Sequence, residues 1–98
     1  MNSALIQAIE EMRLLEVDYD PGLRIVEPHA YGESSQGNEL LRAFQTEGES
    51  ASGEHVNWKL FRVDRIKSLQ LLDAHFAGPR PEYRRGDSAM KGEIFAQL

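Results

Sequence analysis

The chain has 98 residues, which suits one domain and is too short for a multidomain enzyme. Its 41% of apolar residues can form a modest core, and the absence of cysteine excludes disulfides, thiolate zinc sites and cysteine nucleophiles. The net charge of −5 excludes a general nucleic-acid coat protein, because coating phosphates requires an excess of cations.

The charge is unevenly divided along the chain. Residues 1–54 carry a net charge of −8 and residues 55–98 a net charge of +3, so we expect an anion site to draw on the second half. No apolar run approaches the roughly 20 residues of a membrane span, and the first residues lack the basic start of a leader peptide. These observations predict a soluble, cytoplasmic protein.

The first predicted elements are a helix and a strand. Apolar residues at helical spacing follow Ser3, a candidate N-cap, and predict an amphipathic helix over about residues 3–14. From that point the period changes to two, since Leu15, Val17 and Tyr19 alternate with acidic residues. This alternation predicts a half-buried strand.

Four more strands are expected, separated mostly by turn residues. They are residues 23–26 with an extension to Pro28, residues 40–46, residues 56–63 and residues 66–72. Residues 47–55 contain no large apolar side chain and predict a long hairpin loop. A helix followed by five short strands with tight turns is typical of a small β-barrel, here over residues 15–73.

After residue 73 the regular pattern ends. The prolines around residue 80 exclude both helix and central strand. Phe76 and Tyr83 are nevertheless too large to be idle in a disordered tail. We therefore expect residues 74–98 to lie extended across the barrel as a strap, with Asp87 capping a short last helix.

The sequence holds little that could catalyse a reaction. The three histidines, His29, His55 and His75, are far apart in sequence and form no metal-binding pair or compact cluster with carboxylates. No nucleophile elbow and no phosphate-binding glycine loop is present. We predict a protein that is not an enzyme and has neither metal nor cofactor. A small hydrolase would require His29, His75 and an acid in one cleft.

The most informative stretch is residues 58–66. In a strand, Phe61 and Val63 would enter the core while Arg62 and Asp64 point to the other face. Arginine offers a planar, permanently charged fork for phosphate or carboxylate. Two interpretations stay open: Arg62 binds an anionic ligand, or it pairs with Asp64 or with the acidic first strand.

The same stretch carries a family resemblance. Residues 61–66, Phe-Arg-Val-Asp-Arg-Ile, resemble the Phe-Arg-Leu-Asp-Arg-Ile signature of the WYL domain, a bacterial ligand-sensing module. Residues 24–28 are similar to the family's strand that ends in Val-Glu-Pro, and residues 15–19 resemble its opening strand. The resemblance covers about residues 14–72, and Glu-Leu-Leu at residues 39–41 stands where the family has Trp-Tyr-Leu.

The resemblance implies an SH3-like (Sm-like) barrel that binds negatively charged ligands, such as nucleotides or single-stranded nucleic acid. Carried over position by position, the candidate ligand-binding residues are Tyr19, Arg24, His29, Tyr31, Arg42, Arg62 and Arg65. Of these, we expect Tyr19 to be a core or rim residue and not a ligand contact.

Two functional hypotheses follow from these observations. The leading one is a regulatory domain that binds a small anion in a groove lined by Arg42, Arg62 and Arg65. The alternative is a protein-interaction or self-assembly module without a small-molecule ligand. Its homo-oligomer would form through an exposed edge strand, through the strap or through the oppositely charged halves.

Overall fold

The structure is a computed structural model that describes residues 1–98. Helix α1 (Ser3–Glu10) precedes six strands. The strands are β1 (Arg13–Tyr19), β2 (Gly22–Glu33), β3 (Glu39–Gly48), β4 (Asn57–Arg62), β5 (Ser68–His75) and β6 (Glu93–Gln97). The predicted mainly-β fold with an N-terminal helix is confirmed. No helix has the length and apolar character needed to cross a membrane.

All six strands belong to one open antiparallel sheet. Its order is β4-β3-β2-β1-β5, and β6 pairs with β2 beside this path. Two strands share one edge of β2: residues 22–26 pair with β1, and residues 30–33 pair with β6. β3 pairs along the other edge of β2. Through these neighbours β2 connects the first, central and last parts of the chain.

The sheet is strongly curled. In a flat sheet, three strand spacings of about 4.8 Å would put β1 and β4 about 14 Å apart. Instead, the Tyr19 ring at the end of β1 lies 4.8 Å from the Phe61 ring on β4, measured between centroids. The Tyr19 hydroxyl also accepts a hydrogen bond of 3.3 Å from the Arg62 amide. A 3-10 turn, Val63–Arg65, continues from this corner toward β5.

The main core lies on the inner face of the curled sheet. α1 packs against β1, β2 and β6 and contributes Leu5, Ala8 and Ile9. The buried core residues of the strands are Leu15, Val17, Val26, Tyr31, Leu41, Ala43 and Phe61. Phe61 is therefore buried as its place in the alternation predicted, and Val63 packs partly buried against the same core.

A second, smaller cluster joins β2 and β3 to the strap. Its buried members are Ala30, Leu40 and Met90, with Tyr83, Ala89 and Ile94 partly buried around them. Phe76, at the start of the strap, is also buried. Residues 76–92, which are called the strap from here on, therefore cover the outer face of β2 and β3.

The helix begins at Ser3 as predicted, but its capping residue and its end differ from the prediction. The N-cap is Asn2 and not Ser3, since the Asn2 side chain accepts two amide hydrogen bonds from the first turn, of 3.0 and 3.2 Å. The helix ends at Glu10 and not near residue 14, because Met12 adopts a left-handed backbone (φ 52) that terminates it.

The helix predicted after Asp87 is also wrong. Residues 93–97 form β6, so the sheet has six strands and not five. Ile94 packs on the outer cluster, whereas Phe95 packs on the main core. A strand covered on both faces lacks the polar and apolar alternation that identifies a strand in sequence.

Replacing Gly32 by alanine is expected to lower the free energy of unfolding by about 1–3 kcal/mol, the usual cost of overpacking. A Cβ at this position would meet the backbone oxygen of Glu93 on β6, which cannot move without disturbing the β2–β6 pairing. Thermal or urea unfolding measures the change. In the matched control Gly22→Ala, the added Cβ meets only the flexible side chain of Glu49, so a loss under about 0.5 kcal/mol is expected. Equal losses in both variants would contradict this account of the β2–β6 contact.

Candidate functional site

The six residues predicted to bind a ligand do not come together in one place. Arg24 and Tyr31 contact the inner core, and His29 and Arg42 contact the strap. Arg62 ends β4, and Arg65 ends the 3-10 turn that follows it. The sequence predicts a common groove lined by Arg42, Arg62 and Arg65. Of these three, only Arg42 lines the open cleft described below.

All three nitrogens of the Arg24 guanidinium group form hydrogen bonds within the protein. It is 3% exposed and donates to the carbonyl oxygens of Tyr19 (3.2 Å) and Asp20 (2.6 Å) and to the Gln45 side chain (3.3 Å). Its guanidinium carbon also lies 5.4 Å from the centre of the Phe61 ring. Burial lowers the pKa of Arg24. This arginine holds the β1–β2 turn, and each of its three nitrogens already donates to an oxygen of the protein.

Tyr31 joins three elements inside the core. Its hydroxyl donates to the Glu39 carboxylate on β3 and accepts a 2.7 Å hydrogen bond from the Asn2 amide at the start of α1. Its ring packs on Phe95 of β6 with the centroids 5.0 Å apart. Burial, together with the hydrogen bond to Glu39, raises the pKa of Tyr31 to about 12. The group is a structural hydrogen-bond centre.

A β-bulge in β2 places His29 and Tyr31 on opposite faces of the sheet. Pro28 and Ala30 pair with consecutive residues of β3, which leaves His29 as the extra residue. One extra residue reverses the alternation of side chains along the strand. Tyr31 therefore enters the main core, whereas His29 turns outward beneath the strap. An unbroken extended strand would have put both on one side.

His29 lies in an aromatic cage. It is completely buried, and its ring centroid lies 4.8 Å from that of Trp58, 5.0 Å from that of Tyr83 and 5.6 Å from that of Phe76. Trp58 comes from β4, whereas the other two rings belong to the strap. The cage therefore attaches the strap to the sheet through ring contacts.

Both ring nitrogens of His29 are occupied. Nε2 accepts a 3.1 Å hydrogen bond from the Arg80 amide, so Nδ1 carries the proton and donates to the Glu27 carbonyl oxygen at 2.8 Å. This arrangement requires the neutral ring. Burial lowers the pKa of His29 and outweighs the opposing influence of Glu27.

Arg62 and Arg65 have different surroundings at the corner. Arg62 donates to Asp64 at 2.8 Å and to the Asn38 side chain at 3.3 Å, so the pairing with Asp64 is the observed arrangement. Its Nε is buried without a partner. Arg65 is exposed and ends the 3-10 turn. Neither residue lines the cleft that contains Arg42.

Two ion pairs, which we call the strap pairs, attach the strap to the sheet. In one of them the strap supplies the arginine, and in the other it supplies the carboxylate. In the first, Arg80 of the strap donates to both carboxylate oxygens of Glu27 on β2, at 2.7 and 2.9 Å. In the second, Arg42 of β3 donates to both oxygens of Asp87 in the strap, at 2.7 and 3.3 Å. Arg80 also stacks over the Phe44 ring, 4.1 Å from its centre.

Beside the second strap pair lies an open cleft of about 440 Å³. It is lined by Arg42, Trp58, Glu82, Tyr83, Arg84, Arg85, Gly86, Asp87 and Ser88. Most of these residues come from the strap and were not predicted as ligand contacts. The signal available in the sequence was a tyrosine followed by two arginines within the basic half of the chain.

The cleft combines aromatic rings with unpaired positive charge. The rings of Trp58 and Tyr83 lie 6.3 Å apart between centroids and are inclined by only 26°. Arg84 and Arg85 are exposed and make no ion pair with a carboxylate. Stacking surfaces beside free guanidinium groups can hold a planar ring that carries an anionic group.

Neither a metal site nor a similarity to known proteins indicates what this cleft binds. No group of three or more His, Asp or Glu side chains is placed to hold a metal ion. Comparisons of the chain with protein-family models, with curated proteins and with solved structures found no match. The cleft is therefore interpreted from its own geometry.

The free energy of unfolding is expected to fall as the pH drops below about 6.5, the ordinary pKa of histidine in an unfolded chain. Because the pKa of His29 is lowered in the folded state, the unfolded chain binds a proton at a higher pH than the folded chain does. Each unit by which the pH falls in this range lowers the free energy of unfolding by up to about 1.4 kcal/mol. Urea unfolding between pH 7.5 and 5 measures the slope, and His29→Gln should reduce it. An NMR titration of the His29 ring that gives a pKa at or above 6.5 would contradict the buried neutral ring.

Proposed function

We propose that the protein is a non-enzymatic ligand-sensing or regulatory domain that binds a small anionic ligand, such as a nucleotide or a short single strand of nucleic acid. The cleft beside Trp58 is the proposed binding site. The observation that carries the proposal is the coincidence of two nearly parallel aromatic rings and three arginines in one open cleft.

The aromatic rings supply the means of holding a base. A base stacked on an aromatic side chain contributes about 1–3 kcal/mol, and this contribution depends little on which base is present. Trp58 is fixed by its contact with Phe44 at 5.5 Å, and Tyr83 is fixed by its contact with His29. Rings that are already held in place lose little conformational freedom when a ligand binds.

The arginines supply the preference for an anion. Arg84 and Arg85 are unpaired at the rim, and Arg42 lies at the floor in its pair with Asp87. The many acidic residues of the first half repel a polyanion at long range. Short ligands with one or two charges are therefore favoured over long nucleic acid.

The resemblance to the WYL domain implies the same class of ligand and an SH3-like barrel, although Arg42 is the one residue it implies that lines this cleft. The chain follows the path β4-β3-β2-β1-β5 with the two edge strands separated by residues 63–67 alone. Because the sheet is already curled at this corner, pairing between β4 and β5 would suffice to close it. Residues 61–66, which carry the signature, occupy the same corner.

Arg84→Ala combined with Arg85→Ala is expected to weaken binding of adenosine monophosphate about tenfold at low salt, because two exposed charge contacts of about 0.7 kcal/mol each are lost. Isothermal titration calorimetry measures the affinity, and added salt should reduce it further in the wild type. The matched control is Arg65→Ala combined with Lys67→Ala, which removes two exposed charges outside the cleft. Equal affinities in the two double variants, or no binding by the wild type, would contradict the proposal.

A second candidate function, self-assembly, is favoured by the free edge of the sheet. β4 pairs with β3 on one side only, and Leu60 within it is 40% exposed. Val56, just before the strand, is 62% exposed. An unpaired edge strand that carries apolar side chains can pair with a second chain.

Self-assembly predicts a mass above 11.1 kDa that rises with protein concentration in multi-angle light scattering. Leu60→Lys should return the protein to the monomer, since it places a charge on the edge strand. A mass of 11.1 kDa that does not change with concentration would rule out this alternative.

A further inference from the structure

Arg42 already holds an anion at the floor of the cleft. The Asp87 carboxylate accepts hydrogen bonds from Arg42 Nε at 2.7 Å and from Arg42 Nη2 at 3.3 Å. This is the two-point geometry that a guanidinium group offers to a carboxylate or a phosphate. The Asp87 side chain is 8% exposed and that of Arg42 is 28% exposed. The position that an incoming anion would use is therefore occupied by the protein's own strap.

We propose that Asp87 is an internal competitor for Arg42, which the phosphate of a ligand displaces when it binds in the cleft. This inference rests on the proposed function and adds its regulation. In the free protein, Asp87 neutralises Arg42 and lowers its affinity for anions. On binding, the ligand phosphate takes the guanidinium and the Asp87 carboxylate turns out to solvent.

Asp87 can move without loss of the whole strap. Ala89 donates to the Asp87 side chain at 2.9 Å and Met90 donates to the Asp87 carbonyl oxygen at 3.0 Å. The Gly86 amide donates to the Gln97 side chain at 3.0 Å and can hold the backbone in place when the Asp87 side chain turns. The neighbours of Asp87, Gly86 and Ser88, are exposed. The other end of the strap is fixed separately by the Arg80 contacts with Glu27 and with the ring of His29.

The electrostatics of Asp87 agree with this role. Burial opposes its ionisation, but the hydrogen bonds from Arg42 and from the Ala89 amide outweigh burial and hold the pKa of the carboxyl below its ordinary value. Asp87 is therefore ionised at neutral pH and competes as an anion. Asparagine at this position would keep the side-chain oxygen that Ala89 needs and would remove the negative charge.

The test compares Asp87→Asn with Glu27→Gln in the full chain. Both variants remove one carboxylate charge from a strap pair, but only Asp87 lines the cleft. Titration with adenosine monophosphate should show about tenfold tighter binding by Asp87→Asn than by the wild type, and no gain by Glu27→Gln. Adenosine, which has no phosphate, should bind all three proteins equally. Inorganic phosphate alone should show the same order of affinities if the phosphate contact suffices.

A second measurement needs no variant and reports the displacement directly. When adenosine monophosphate binds to the wild type, hydrogen exchange at the Ala89 amide should become faster, because its acceptor on Asp87 is withdrawn. The Tyr83 amide, which donates to the Arg80 carbonyl oxygen at 3.0 Å, should keep its protection. Binding that leaves the Ala89 amide equally or better protected overturns the displacement.

The results separate this inference from the proposed function. If the wild type binds adenosine monophosphate and Asp87→Asn binds it no more tightly than Glu27→Gln does, Asp87 is not a competitor and the ligand site stands. If Asp87→Asn binds adenosine more tightly as well, the gain is not due to the phosphate and the inference is overturned. If neither the wild type nor Asp87→Asn binds any of the three probes, both proposals are overturned together.

Discussion

β2 is buried on both faces between Val26 and Gly32, and the other parts of the chain are arranged around this double burial. One face is covered by α1 and the inner core, and the other is covered by the strap. The outer face carries Glu27 and His29, which would lose their contacts with water at a cost of several kcal/mol if they were left unpaired. Arg80 satisfies both, through its side chain and through its amide. The strap is therefore required by the polar groups of β2 as much as by its apolar ones.

The elements that sequence predicted well are those with a local period. The alternation through residues 15–19 and 58–63 placed two strands and put Phe61 in the core, because one face of each is buried and the other is not. β6 has no such alternation, since its two faces enter different clusters. The end of α1 depends on the left-handed backbone of Met12, and methionine is not a residue type that predicts this conformation.

The candidate site was harder to predict, for two physical reasons. Arginine is usually exposed and available to a ligand, yet Arg24 is buried and donates to three oxygens of the protein. Two residues separated by one position share a face in an unbroken strand, yet a bulge puts His29 and Tyr31 on opposite faces. The pairing of Trp58 with Tyr83 joins segments far apart in the chain, and no local sequence pattern predicts it. The charge division was more useful, because the free arginines do lie in the basic half.

The bulge at His29 also has a meaning for how this chain would be compared with others. Glu27 faces the strap and Tyr31 faces the main core, and the stretch between them has one residue more than an unbroken strand would need for this arrangement. A related chain that lacked this residue would have to give up either the aromatic cage or the tyrosine of the core, since one deletion turns every following side chain over. The length of this short stretch is thus a stricter marker of kinship than the identity of its residues. An alignment that places a gap here would join two proteins whose buried faces do not correspond.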